Sequence, residues 1–340
     1  MAVTIVLFHA GIDWMWNVAV TGVTFFFLSS TFLLALHHPA ESITARDYRR
    51  FAVSHAMRLY PLHWLGLALL VALALIYRPS YIDWSDTVLS ALLVQSWFPS
   101  HATHYGLNPV AWYMCCLLFC YLIYPLMARA IKRLRLWHKI LIITILSITL
   151  AVILLPLDIP GREAVFVNPL SHVLDMAVGF TILHLYHITA PRCRNIGDCK
   201  ATLLEVGALA LLAIAITVNV TTTWVKPWED VLIWLIPQGS ILLVMALLNG
   251  QEGALGKLLL SRPLQWLGSI SFEVYVLQFV AFRFFGYVVA PFAGHYGWDI
   301  YRDLQWYALP LILPLAWLVN KWFTRPVNAY LKRHLSPSSI

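Results

Sequence analysis

Three consecutive stretches decide how this chain folds: GVTFFFLSSTFLLAL from Gly22 to Leu36, HHPAESITARDYRR from His37 to Arg50, and FAVSHAMRLYPLHWLGL from Phe51 to Leu67. An apolar run, a basic loop and a second apolar run are the signature of two membrane spans joined on one side. The second run carries Arg58 inside it. A guanidinium in hydrocarbon costs several kcal/mol on insertion scales, so an arginine within a span marks a candidate functional site.

Composition extends that reading to the whole chain. Of 340 residues 60% are hydrophobic and 11% charged, too little charge to cover a soluble surface of this size. Apolar runs recur to the C-terminus without a polar linker long enough to separate domains. The expected architecture is an all-α polytopic membrane protein forming a single transmembrane domain over residues 1–340. The net charge of +7 is accounted for by cytoplasmic loops, which collect Lys and Arg, and does not point to nucleic acid.

Requiring about 20 mostly apolar residues per span places spans near 18–36, 51–77, 110–131, 140–157, 169–188, 201–220, 231–248, 264–290 and 304–323. With the N-terminal piece this predicts about ten transmembrane helices. Alternation puts Arg46, Arg49, Arg50, Lys132, Arg133, Arg135, Lys257 and Arg325 on one face, while the opposite loops hold only Arg78, Arg162, Lys226 and Arg302. The first face is therefore predicted to be cytoplasmic, with both termini inside a plasma (inner) membrane. Residues 87–98, TVLSALLVQSWF, are apolar but too short to cross. They read as a short re-entrant or interfacial helix; a true short span would invert every later loop against the charges.

Met1 opens directly into AVTIVLFHAG, with no basic leader or cleavage site. The expectation is a short first helix or a start that falls inside it. Cys115, Cys116 and Cys120 share one span, and Cys193 and Cys199 flank a cytoplasmic loop; reduced thiols without zinc-type pairing are expected. Asn219-Val-Thr221 matches a glycosylation sequon, but it lies too close to the membrane to carry weight.

Polar groups at membrane depth mark His9, His55, Arg58, His63, the pair His172 and Asp175 one turn apart, Glu273, Gln278 and Arg283. Taken singly, His63, His172 and Gln278 read as helix-packing hydrogen bonds. His9 and Arg58 stand apart because of their surroundings. IVLFHAG with His9, GVTFFFLSSTFL from Gly22 to Leu33, RRFAVSHAMRLYP ending in Arg58, Tyr60 and Pro61, WYMCCLLFCYLIYP with Trp112, Tyr121 and Pro125, LGSISFEVYVLQ, and FTRP occur in order along the chain. Together they resemble the acyltransferase 3 family of integral membrane O-acyltransferases. Those are ten-helix proteins that acylate hydroxyls of bacterial envelope glycans, lipids and small molecules.

The resemblance carries departures. The family's arginine eleven residues before the first-helix histidine would fall before Met1. Its Arg-x-x-Arg is here His55-x-x-Arg58, its glutamate after the Trp motif is Leu117, its ninth-helix histidine is Gln278, and its glycine after Ser30 is Thr31. These leave a relative of impaired catalysis as one alternative reading; a secondary transporter is another, although no internal repeat or pair of Gly/Pro-broken helices supports it.

The resemblance implies an acyl-CoA donor, acetyl-CoA being the expected one, and an acceptor hydroxyl on a glycan or lipid-linked sugar. Acyl transfer needs a base to take the hydroxyl proton, and a neutral imidazole suits the task. His9 is the candidate, with Asp13 as its orienting carboxylate if the helix continues one turn. Arg49, Arg50, Arg58 and His55 form the cationic entrance expected to hold the donor's phosphates. An acyl-pantetheine arm would span roughly half of the ~30 Å hydrocarbon thickness toward an outward-facing His9. Trp112, Tyr113, Ser30 and Gln278 are the candidate acceptor contacts. For Trp112 and Tyr113, with Trp14, Trp16 and Trp97, an interfacial aromatic belt is the plainer account. No metal or resident cofactor is expected.

Overall fold

The computed structural model describes residues 1–12, 15–38, 45–193, 195–225, 228–229, 232–295 and 304–335. In chain order the helices are α1 (Ala2–His9), α2 (Trp16–His37), α3 (Ala45–Tyr77), α4 (Trp84–Ala91), α5 (His101–Tyr105), α6 (Ala111–Ile131), α7 (Leu136–Leu154), α8 (Ile159–Phe166) and α9 (Val173–Thr189). Then follow α10 (Asp198–Thr221), α11 (Leu235–Leu247), α12 (Ala254–Leu259), α13 (Arg262–Ser269), α14 (Ser271–Phe284), α15 (Ala290–His295), α16 (Leu304–Val319) and α17 (Arg325–Leu335). No strand occurs among the described residues.

Seven of the described helices are long and apolar enough to cross a membrane: α2, α3, α6, α7, α9, α10 and α14, the last continued to Phe292. The other three predicted spans fall on shorter helices. α1 has 8 residues, about 12 Å at 1.5 Å per residue, while α11 has 13 and α16 has 16. The chain divides into two compact units. One comprises Met1–Gly22, Thr44–Tyr121 and Gly268–Ile340; the other comprises Val23–Ile43 and Leu122–Leu267.

In the first unit α14 packs on α1, α3 and α16. Ala2, Ala10, Ala281, Ala308 and Ala316 line this core with Val6, Val274 and Ile312. Where lipid is as apolar as the helix, association depends on close contact, and small side chains allow it. The segment predicted as re-entrant, residues 87–98, falls on α4 and a single 3-10 turn at Gln95–Trp97, and α5 follows it. None of these is long enough to cross. A helix leaves its last carbonyls without donors, and α3 supplies them from one face. Tyr60 Oη donates to Leu92 O at 2.9 Å, Trp64 Nε1 to Ala91 O at 2.9 Å, and His63 Nε2 to Ser90 O at 2.8 Å. This gives His63 the packing role expected of it.

In the second unit α9 packs on α7 and α11, and α10 packs on α11 and α12. Glu205 of α10 is 3% exposed and accepts from the Gly253, Leu255 and Gly256 amides at 3.1, 2.9 and 2.9 Å. The carboxylate thus satisfies the orphan N–H groups at the start of α12. A Cβ on Gly179 of α9 would lie 2.8 Å from the Thr31 Cβ and 3.1 Å from Leu28 O. Thr31 replaces the family glycine on α2, and the small residue of that crossing is on the partner helix.

Candidate active site

His9 is the last residue of α1. Gly11 follows with φ +99°, a left-handed conformation that glycine adopts without strain and that ends helices. The Ala10 and Gly11 amides close back on Val6 O and Phe8 O, both at 2.9 Å. The helix therefore does not run on through Gly11. Asp13 itself lies outside the described residues.

The partner of His9 is Gln278 on α14. His9 Nδ1 and Gln278 Oε1 are 2.9 Å apart, and Gln278 Nε2 donates to Tyr275 O at 2.8 Å. A carbonyl only accepts, so the amide must present its oxygen to His9, and Nδ1 must carry the proton. In the neutral ring Nε2 then holds the lone pair, and it has no hydrogen-bond partner among the described residues. Phe279 lies beside the imidazole with ring centroids 5.2 Å apart. The arrangement is a fixed tautomer with an open basic nitrogen.

The chain of support continues outward from Gln278. Tyr275 Oη donates to Val110 O at 3.0 Å, and its ring meets that of Tyr113 at 5.3 Å, edge on. Val110 directly precedes α6, so His9 is tied through α14 to the helix start that carries Trp112 and Tyr113. Both of these side chains are buried, 7% and 6% exposed. Gln278 is fully buried with both ends of its amide engaged, and what it touches is His9. Ser30 is on the portion of α2 that belongs to the second unit and is partly exposed.

The arginines expected to form a cationic entrance lie in the N-terminal half of α3. Arg49, Arg50 and Arg58 of α3 are exposed. His55, between them, turns inward and is 4% exposed. Its Nδ1 donates to Phe51 O at 2.9 Å, and its ring lies 4.1 Å from that of Phe51 and 4.9 Å from that of Tyr121. The structure thus groups His9, Gln278 and Tyr113 at one place, while Arg58 lies about 12–14 Å along α3 from Arg49 and Arg50. Leu117, in place of the family glutamate, is buried and 5% exposed. Tyr275 is a functional candidate that sequence reasoning misses, because an aromatic residue in a span reads as core until its hydroxyl and carbonyl partners are seen.

A second polar knot on α14 is Glu273, 2% exposed. Its Oε1 accepts from Asn320 Nδ2 at 2.9 Å, and the same Nδ2 lies 3.3 Å from Ser269 O. Asn320 opens a π-turn, Asn320–Thr324. Among the described residues no three His, Cys, Asp or Glu side chains gather to hold a metal ion.

A helical membrane chain with an oriented imidazole at one place and exposed arginines at another fits a group-transfer enzyme. A family model described as an acyltransferase domain matches residues 2–321, and the chain belongs to this family, acyltransferase 3. It is 28% identical over 284 residues to Acyltransferase MdmB of Streptomyces mycarofaciens, an alignment covering 77% of this chain and 68% of that relative. No solved structure matches it. The protein is an acyltransferase of the membrane, and the transporter reading has no support from these comparisons.

Proposed function

We propose that this acyltransferase moves an acyl group, acetyl being the simplest, from cytoplasmic acyl-CoA to a hydroxyl of an envelope glycan or lipid-linked sugar. The observation that supports the reading is the open Nε2 of His9, whose tautomer Gln278 and Tyr275 fix. As the acceptor oxygen attacks the thioester carbonyl, Nε2 takes its proton. The tetrahedral intermediate then expels the CoA thiolate, which regains a proton from the imidazolium. The acceptor leaves as an ester, and the base is returned to its neutral form.

In this reading Arg49, Arg50 and Arg58 hold the donor's phosphates, as guanidinium forks do, and buried His55 braces the helix face beside them. Trp112 and Tyr113 remain proposed acceptor contacts in the first unit, and Ser30 is a separate proposal within the second. The ten-span topology belongs to the same proposal: one transmembrane domain with α4 re-entrant or interfacial, both termini cytoplasmic, in the inner membrane. Transfer of labelled acetyl from acetyl-CoA by the purified protein tests the reading, with His9→Ala as control. Equal transfer by the wild type and His9→Ala removes His9 as the base. No transfer to any glycan or lipid-linked pool removes the proposed reaction.

A further inference from the structure

Arg283 of α14 is a second guanidinium within a candidate span, Ser271–Phe292, and its described surroundings hold no counter-charge. It is half-buried. Nη1 donates to Tyr287 Oη at 3.2 Å and Nη2 to Tyr81 Oη at 3.0 Å. Its Cζ lies 4.7 Å from the ring centre of Tyr81 and 5.9 Å from that of Tyr287. Arginines in spans ordinarily pair with acidic groups, and among the described residues Arg283 has no acidic partner.

The inventory of donors shows what this place would bind. A guanidinium has about five N–H donors and no acceptor, and the two tyrosines use only two of them. Each phenol accepts from Arg283 and still has its own O–H to give, with no acceptor among the described residues. Among the described residues the cluster therefore presents surplus donors and a positive charge with no acidic partner. That combination is complementary to an anionic oxygen group. A merely snorkelling arginine would extend freely to the interface; this one is clamped between two rings, one of them on the π-turn Phe285–Val289. Such wide turns occur often at functional sites.

Position connects the cluster to the reacting end of the molecule. The Tyr77 ring lies 6.1 Å from that of Tyr287, which places the cluster at the C-terminal end of α3. Arg49 is about 42 Å away along that helix at 1.5 Å per residue, so the cluster is not part of the donor entrance. Phe279, which packs beside the His9 ring, is four residues before Arg283 and shares its helix face, about 6 Å back along the axis.

We propose that Arg283, Tyr81 and Tyr287 bind an anionic group, phosphate or carboxylate, carried by the acceptor beside the hydroxyl that reacts. The proposal rests on the acyl-transfer reading for the word acceptor, but its test does not need turnover. Binding of glucose 1-phosphate, glucuronate and glucose to the purified full chain is measured by titration calorimetry, for wild type, Arg283→Gln, Arg283→Lys and Tyr81→Phe. Both anionic sugars are expected to bind at least tenfold more tightly than glucose. Arg283→Gln is expected to abolish the difference, and Arg283→Lys to keep part of it as a point charge without the fork. Unchanged melting temperatures serve as the folding control, and the lysine variant keeps the test decisive if the glutamine variant fails to fold.

Equal binding of all three sugars by the wild type overturns the proposal. So does Arg283-dependent retention of anionic lipid in nanodiscs, read by native mass spectrometry, without Arg283-dependent sugar binding; the anion is then a lipid headgroup. Arg283-dependent sugar binding in a protein that transfers no acetyl leaves this site standing and removes the acyl-transfer reading instead.

Discussion

Two histidines, one in each compact unit, present Nδ1 to a buried side chain, and they differ where chemistry would need them to. In the second unit His172 Nδ1 lies 2.7 Å from Asp175 Oδ2, while Nε2 donates to Phe166 O at 3.0 Å. Phe27 stacks on the ring at a centroid distance of 3.9 Å. Both nitrogens are used, and His172 and Asp175 are 4% and 5% exposed. In the first unit His9 has an amide partner instead of a carboxylate, and its Nε2 is left open. The pair that looks like a fragment of a catalytic triad is a clamp tying the α9 start to Phe166. The histidine with the weaker partner retains a lone pair on Nε2, as the proposed base requires.

The sharpest way to break the comparison is to remove each imidazole. His9→Ala is expected to lower acyl transfer about 10²–10⁴-fold, the usual worth of a positioned general base, with the melting temperature little changed. His172→Ala is expected to act the other way round. It leaves Asp175 buried without its partner, at a cost of about 3–5 kcal/mol, read as lost stability in detergent. A His172→Ala protein that stays folded but loses only turnover would reverse the roles assigned to the two histidines.

Overpacking the second unit sharpens the claim that it is closely fitted scaffold. Gly179→Ala would drive a Cβ to 2.8 Å from Thr31 and 3.1 Å from the Leu28 carbonyl. A loss of about 1–3 kcal/mol follows from such overpacking, and Thr31→Gly on the same chain is expected to recover much of it. Failure of that rescue in denaturation curves would show that the Thr31 contact is not what requires a glycine at position 179.

Gln278 tests the orientation of His9 without removing it. Gln278→Leu keeps the volume and deletes the acceptor that holds Nδ1–H. About tenfold in kcat, or 1.4 kcal/mol, is the expected scale for losing one neutral hydrogen bond of this kind, with KM for the donor unchanged. Gln278→His, which restores the family residue, is expected to retain more activity than leucine. A KM effect without a kcat effect would make Gln278 a substrate contact after all.

What the sequence disclosed and what it hid follow from the range of the interactions. Helix class was legible because apolar runs are local, and seven of them are long enough to be read by length alone. The three shorter helices were harder, since α1 ends on a backbone turn at Gly11 that periodicity does not register. His9 stood out through its local motif, but its partner is 269 residues away in the chain. No spacing rule reaches that far. The same limit applies to Arg283, whose phenol partner Tyr81 is 202 residues distant. Exposure was also beyond the sequence: His55 and Arg58 read alike as cations at a span entrance, yet one is buried against Tyr121 and the other is open.

The smallest expected effect concerns the turn that ends α1. Gly11 is at φ +99° and a Cβ there would meet nothing within 4 Å, so a substitution acts through the backbone alone. Alanine in a left-handed conformation costs on the order of 1 kcal/mol, and the chain can relieve it by extending the helix past Ala10. That relief would rotate His9 away from Gln278, because the ring is held at the terminus by a bond to another helix. Gly11→Ala is therefore expected to lower kcat by a few-fold while the melting temperature falls by only a few degrees. Gly11→Asn, which tolerates the left-handed region better, should lie between alanine and wild type in both readouts. If alanine and asparagine are equally active at wild-type level, the turn merely ends a helix and the His9–Gln278 bond alone fixes the base.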